Sequence, residues 1–291
     1  MRRHLRNATR AVLVAALLTG CGSATDDAAD AQADPDQSPA AEPFLPKAGV
    51  CHRTVESVGY RALYAEVDCA KIHQAETVYV GAFTGEDAAR LAPPPPRSDP
   101  MRAAFDRCDT RVTSFVGGEW RGALISIQVV VPEPSEWTAG GRWYRCDVFA
   151  LTALDGNTAR KSPDDRAVER EGSLRAVLTK PSPLAFGCYT VDEYDDLTPV
   201  ACTKRHRVEY VGIWTAPDGP YENSADDEDK IFDKCADVVA DYVKGTPNAK
   251  LVTRGLGMTT RFPSPEAWER GDRGVRCFHW ADRDRTRSLK N

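Results

Sequence analysis

Apolar and polar positions along this chain change period in one order that occurs twice. Tyr60 to Val67 and Glu76 to Phe83 read as strands on either side of a turn region at Cys69 to His73. Pro93 to Pro96 forms a stiff spacer, after which Ser98 or Asp99 caps a predicted helix with Pro100 at its first position. Met101, Phe105, Cys108, Val112 and Val116 fall on one face of that helix, and Gly117 and Gly118 end it. Leu124 to Val131 is a β-rich run and Trp143 to Leu151 another predicted strand, separated by a turn around Trp137 between Pro132 and Gly141. Leu154 to Arg170 is charged and loop-like, and Ser173 to Leu178 is expected to add a last strand. Later, Ile231, Phe232, Cys235, Val238, Val239, Tyr242 and Val243 predict a second helix with one buried face, stopped by Gly245.

The residues themselves also repeat. Pro132, Pro134, Trp137, Gly140, Arg142, Arg145 and Cys146 answer without a gap to Pro263, Pro265, Trp268, Gly271, Arg273, Arg276 and Cys277. Phe105 and Cys108 answer to Phe232 and Cys235, and Cys69, His73 and Glu76 answer to Cys202, His206 and Glu209 at the same spacing. Gly49 and Cys51 answer to Gly187 and Cys188, one residue out of step. This pattern points to a tandem duplication of a domain of roughly 100 residues, enough for its own core.

Strands, one helix, then strands predict an α+β fold: two similar small domains, each a mostly antiparallel sheet with one packed helix and two disulfides. The expected organisation is a signal peptide over 1–20, a lipidated cysteine and tether over 21–47, a first domain over 48–180 and a second over 181–291. Lys180, Pro181 and Pro183 mark the boundary between the domains.

The N-terminus sets the compartment. Four arginines precede the apolar run Ala11 to Leu18, which is too short to cross a bilayer core of about 30 Å and reads as a secretory signal. Leu18, Thr19, Gly20 and Cys21 resemble a lipobox, so Cys21 is the expected lipidation site and the chain is expected on the outer face of the cytoplasmic membrane. Two or more acyl chains give a firm anchor. Gly22 to Pro46, rich in Ala, Asp, Gln and Pro, reads as a disordered tether. Loss of the signal's four arginines takes the formal net charge from −5 to −9, which argues against nucleic acid as a partner.

Nine cysteines less Cys21 leave four per repeat, as suits an oxidising compartment. Three pairings per domain are open. Pairing neighbours in order is preferred: Cys51 with Cys69, Cys108 with Cys146, Cys188 with Cys202, and Cys235 with Cys277.

Candidate chemistry concentrates in two repeated sets. Cys69, His73 and Glu76, with Cys202, His206 and Glu209, hold residue types that bind zinc or pair a nucleophile with a base. Neither copy has a C-x-x-C or H-x-x-x-H to complete a metal site, and a bridged cysteine is neither ligand nor nucleophile, so no metal, cofactor or catalytic residue is expected. Trp137 with Arg142 and Arg145, and Trp268 with Arg273 and Arg276, suit a stabilising stack or a grip on a glycan ring or carboxylate. Asp226 to Asp229 lacks the spacing of a calcium loop and suits the positive end of the helix it precedes. No G-x-S-x-G, S-x-x-K, H-E-x-x-H or phosphate-cradling glycine loop occurs. A carboxylate pair for a cell-wall enzyme is compatible with the composition, although no spacing points to one.

Cys69, His73, Glu76, Val78, Cys108, Pro132, Trp137, Gly140, Arg142 and Cys146, with Cys202, His206, Glu209, Val211, Cys235, Pro263, Trp268, Gly271, Arg273 and Cys277, resemble the septum-formation domain family of exported actinobacterial proteins. Ile72 and Arg205 stand where that family usually has proline before its histidine. The resemblance implies an extracytoplasmic, non-catalytic protein linked to the division septum. The expectation is therefore a lipid-anchored binding or scaffold protein whose partner is an envelope protein or cell-wall polymer. Its candidate binding surface is His73, Glu76, Trp137, Arg142, His206, Glu209, Trp268 and Arg273. Alternatives are a cell-wall-modifying enzyme and a ligand-sensing lipoprotein.

Overall fold

A computed structural model describes residues 43–152, 167–191, 197–221, 225–246 and 257–290, with backbone alone for 225–229. The predicted signal peptide, Cys21, most of the predicted tether, most of the charged loop 154–170 and the side chains of Asp226 to Asp229 lie outside the described residues.

The fold is α+β, and the described residues form ten strands in two five-stranded sheets. The first sheet takes β1 (Cys51–His52), β2 (Val58–Gly59), β3 (Ala75–Ala82), β4 (Ile125–Pro132) and β5 (Trp143–Ala150), in the order β1-β3-β5-β4-β2. The second takes β6 (Cys188–Val191), β7 (Leu197–Val200), β8 (His206–Thr215), β9 (Gly257–Arg261) and β10 (Gly274–Arg285), in the order β7-β6-β8-β10-β9. Neighbours run antiparallel throughout except β2 and β4. The α-helices among the described residues are α1 (Gly85–Ala88), α2 (Asp99–Val116), α3 (Pro134–Thr138), α4 (Ala225–Tyr242) and α5 (Pro265–Arg270). No helix of the described residues is long and apolar enough to cross a membrane.

Each long helix lies on one face of its sheet. Met101, Phe105, Cys108, Val112 and Val116 of α2 are buried with Ile125, Ile127, Val129 and Val148. Ile231, Cys235 and Val239 of α4, and Val243 just after it, are buried with Val211 and Val275. Disulfides Cys108–Cys146 and Cys235–Cys277 rivet each helix to an interior strand of the sheet beneath it, β5 and β10, while Cys51–Cys69 and Cys188–Cys202 close the first loop of each half. The structure thus holds the neighbours-in-order pairing. Burying the α2 and α4 faces supplies the driving force, on the order of 1.5–3 kcal/mol for each fully buried large apolar side chain.

Four local expectations differ from the structure. Tyr60 to Val67 is no strand: Arg61–Leu63 forms a 3-10 turn, and only Val67 pairs, with Cys51. The disulfide closing this loop leaves Tyr60 and Leu63 exposed, so no sheet face draws the segment straight. Ser173 to Leu178 also forms turns, because its amides satisfy the open end of α2: Ala176 N donates to Phe115 O and Leu178 N to Val116 O, both at 2.8 Å. Pro43 to Lys47, grouped with the tether on composition, is packed at its start. There Phe44 N donates to Glu136 and the ring meets Tyr64 at 4.7 Å. Phe232, placed on the buried face of the second helix, is 40% exposed.

The two sheets meet through the 3-10 turn Trp120–Gly122. Arg121 pairs with Asp272 at 2.6 Å and with Asp109 at 2.9 Å, and Arg276 Nε donates to the Arg121 carbonyl at 2.9 Å. Phe186 N donates to Gly122 O, and Ala123 bridges to Ala185.

Candidate functional site

His73 lies two residues before β3 and His206 opens the equivalent strand β8, and the chain turn before each one places a carbonyl beside the ring. Nδ1 of His73 donates to Lys71 O at 2.7 Å and Nδ1 of His206 donates to Lys204 O at 2.8 Å. Both rings are buried, and Nε2 of each meets no polar protein group. On the far side of each histidine runs a short antiparallel pairing, to Arg170 in the first half and Arg285 in the second.

Glu76 and Glu209 are buried acceptors that hold the end of each half. Glu76 takes the Ser173 hydroxyl at 2.8 and 2.9 Å and the Leu174 amide at 3.0 Å. Glu209 takes the Ser288 hydroxyl at 2.5 Å, the Leu289 amide at 2.8 Å and the Tyr242 hydroxyl at 2.9 Å. The Tyr242 phenol is pushed up to about 12, first by burial and then by the neighbouring Glu209 charge. Leu174 and Leu289 enter the two cores, and the next residue lies over a ring of the helix: Arg175 on Phe115 and Lys290 on Tyr242, each at 4.4 Å.

This strap is a further repeat that the spacing hides. Arg170, Ser173, Leu174 and Arg175 answer to Arg285, Ser288, Leu289 and Lys290 in the pattern R-x-x-S-L followed by a cation. It follows Cys146 by 24 residues in the first half and Cys277 by 8 in the second, so an ungapped comparison stops short of it. A search for the pattern itself would have found it.

The Trp and Arg sets are equally internal. Trp137 Nε1 donates to Arg90 O at 2.8 Å and Trp268 Nε1 to Gly219 O at 2.9 Å. Arg142 lies 4.4 Å over Trp137 and Arg273 4.4 Å over Trp268, and each guanidinium donates to the carbonyl of its own tryptophan. The arginine thus closes the C-terminal end of α3 and of α5, where carbonyls lack helical partners. Glycine is required at 271 and 140, with φ of 119° and 100°, in the left-handed turn between tryptophan and arginine.

Six of the eight residues expected to form a binding surface are therefore buried, and Arg142 and Arg273 are half-buried stacks. Each of the eight makes at least one side-chain bond to a backbone group, which suits it to an interior position. The Sγ atoms of Cys51 and Cys69 and a Glu76 oxygen lie within 4.8 Å of one another, as do those of Cys188, Cys202 and Glu209. Both cysteine pairs are disulfides, so they offer no thiolate to a metal ion.

A further buried polar cluster holds Arg145 of the repeated set together with residues that the sequence did not single out. His52 Nε2 bonds to Thr77 Oγ1 at 2.8 Å, and Thr77 donates to Asp147 at 2.7 Å. Arg145 Nε donates to Asp147 at 2.9 Å, and its Nη2 reaches Glu56 at 2.9 Å. Burial pulls His52 below the ordinary histidine range, with Asp147 opposing and Arg145 adding to the effect. Burial raises Glu56 against the pull of Arg145. Tyr64 closes the cluster, 5.4 Å from the His52 ring and 5.8 Å from the Arg145 guanidinium. Chemically this is a latch, since Thr77 and Asp147 are wholly buried and the chain binds Glu56 and His52 down onto the sheet.

Residues 48–277 match the family model described as septum formation. Comparison with curated proteins and with solved structures gives no match.

Proposed function

The chain belongs to the septum-formation family, and on that premise we infer that it serves septum formation as an exported, lipid-anchored scaffold that binds an envelope protein or cell-wall polymer. The observation that carries this reading is the internal use of both repeated polar sets. His73, Glu76, His206 and Glu209 bond to backbone and to the Ser-Leu straps, and the Trp and Arg pairs cap short helices. Such groups preorganise a rigid body that offers its loops to a partner. The lipobox at Leu18 to Cys21 supplies the anchor, and the four disulfides suit an oxidising envelope.

A functional tagged chain imaged in the native cell, beside a Cys21→Ala version, tests the reading. Enrichment at septa that is lost or dispersed in Cys21→Ala is the expected result. Uniform membrane staining of the anchored chain removes the septal part, and identical fractionation of the two versions removes the lipid anchor.

A further inference from the structure

The end of the second sheet that holds His206 gathers positive charge that the equivalent end of the first does not. Lys204, Arg205 and Arg207 flank His206, while Arg283 and Arg285 close β10 and Arg287 follows it. Arg285 pairs with His206 across the strands, and Arg207 donates to the carbonyls of Ala281 at 3.4 Å and Asp282 at 3.2 Å, so the two segments lie side by side. Six cations less the two carboxylates of Asp282 and Asp284 leave +4 here, on a chain whose formal net charge is −5.

Little of this charge is used within the fold. Lys204, Arg283 and Arg287 are exposed, and their side chains make no hydrogen bond or ion pair among the described residues. Arg205 meets Asp284 at 2.6 Å with 79% of its side chain exposed. An exposed pair of this kind contributes about 0–1 kcal/mol, so its guanidinium exchanges readily onto another anion. The field of the group reaches His279, which is held below the ordinary histidine range first by burial and then by Arg285.

The duplication shows that the fold does not need these charges. At the corresponding positions of the first half, Ile72 stands for Arg205, Gln74 for Arg207, Val168 for Arg283 and Gly172 for Arg287. The two cations kept there, Lys71 and Arg170, are balanced by Glu169 and Glu171. His73 and Glu76 are nevertheless held as His206 and Glu209 are. Like charges so placed repel one another and oppose folding, which an anionic partner would relieve.

We propose that this end of the second sheet binds an anionic polymer of the envelope that carries phosphodiester groups. Five of the six cations are arginines, whose planar fork donates two parallel bonds to a pair of anionic oxygens. The cations arrive from two segments, which suits tetrahedral phosphate, with oxygens directed apart, better than a carboxylate, whose oxygens share one plane. A bilayer surface is a poorer match, since none of the large exposed apolar side chains among the described residues falls in either segment to enter the acyl region. A polymer ligand narrows the scaffold reading to one of its partners, and rests on that reading only for the compartment in which the polymer is met.

The test is a titration of the exported chain lacking only the signal and Cys21, isotope-labelled and with its disulfides intact, with long-chain inorganic polyphosphate as the probe. Saturable binding is expected, with amide shifts centred on 203–207 and 281–290. Its affinity should fall with salt at a log-log slope of about 3, as for roughly four phosphates neutralised on a single strand. Arg283→Glu with Arg287→Glu, at exposed and unpaired positions, is expected to weaken binding by roughly tenfold or more at unchanged melting temperature. Arg53→Glu with Lys71→Glu makes the same change of net charge in the first half and should leave affinity within about twofold, because distant charges are screened. No saturable binding, shifts centred elsewhere, or equal weakening by the two double variants would overturn the proposal. Phosphatidylglycerol vesicles that bind as tightly at equal phosphate, with the same dependence on Arg283 and Arg287, would overturn the polymer in favour of a lipid surface. Because the titration is made outside the cell on a chain without its anchor, its failure is separate from a failure of septal localisation.

Discussion

The outer faces of the two sheets, turned away from α2 and α4, are built on the same backbone pairing with opposite chemistry. Thr77 pairs across to Asp147 in the first sheet and Tyr210 to Phe278 in the second, and the residue after the first cysteine is His52 in one and Tyr189 in the other. A buried network of His52, Thr77, Asp147, Arg145 and Glu56 in the first half is thus replaced by a cluster of Tyr189, Tyr210 and Phe278, with ring centroids 5.4 to 5.9 Å apart. The exchange redirects one more residue. Arg145 finds Asp147 two positions on, whereas Arg276 finds Phe278 there and turns to the Arg121 carbonyl at the junction of the sheets. What covers each face differs accordingly: the segment around Glu56 and Tyr64 on the first, the Trp120–Gly122 turn on the second. The scaffold tolerates either filling, but a charged filling depends on every member, since a buried charge without its partner costs more than a lost ring contact.

The largest effect is expected from breaking the polar face. Asp147→Ala strands the fully buried Arg145 beside Glu56 alone and should destabilise the chain by about 3–5 kcal/mol in denaturant titration. A loss below about 1 kcal/mol would show that Arg145 is not held by Asp147, and the contrast between the faces would fall with it.

A smaller and matched effect is expected where the halves agree. Glu76→Gln and Glu209→Gln each weaken charge-assisted bonds to a Ser-Leu strap, at about 1.5–3 kcal/mol apiece. Amide exchange should rise at Leu174 in the first variant and at Leu289 in the second. Unequal exchange, with only one strap released, would mean that the two glutamates do different work.

The smallest effect concerns pH. His52 is held below the ordinary histidine range by burial, so the unfolded chain binds its proton first, near about 6.5, and stability falls as pH drops through that value toward the lowered folded one. His279 is also lowered, first by burial and then by Arg285, and acts in the same direction. Glu56, raised by burial, works oppositely and at lower pH, since the folded chain takes its proton more readily. Urea midpoints at pH 7.5, 6.5 and 5.5 should therefore decline for the native chain and decline less for His52→Gln, with a remaining slope from His279. Parallel slopes would remove His52 from the pH response.

Much of the fold was legible because its signals are local. The faces of α2 and α4 follow from apolar spacing, and the glycine stops from left-handed turns at Gly117 and Gly245, with φ of 83° and 79°. Phe232 shows where periodicity ends. It occupies the position of Phe105, yet Phe105 is buried, with Gly271 of the second half close to its ring, while Phe232 remains 40% exposed. Periodicity tells which side of a helix is apolar and says nothing of which neighbour arrives to cover it.

The same limit governs the candidate site. His73, Glu76, Trp137, Arg142 and their second-half counterparts were identifiable by repetition, but their partners lie far along the chain. Glu76 binds a serine 97 residues away, and Glu209 one 79 residues away, across loops of unequal length. The sequence by itself determined the four cysteines of each half, the α+β plan, the two helical faces and the repeated polar residues, all of which are set by composition and short-range spacing. Only the tertiary structure decided that those polar residues face inward, that Asp147 and Phe278 make opposite faces from one strand position, and that the cations of 204–207 and 283–287 share one end of the second sheet. Hydrogen bonds and burial depend on what long-range closure brings together, and closure is fixed by the packed whole.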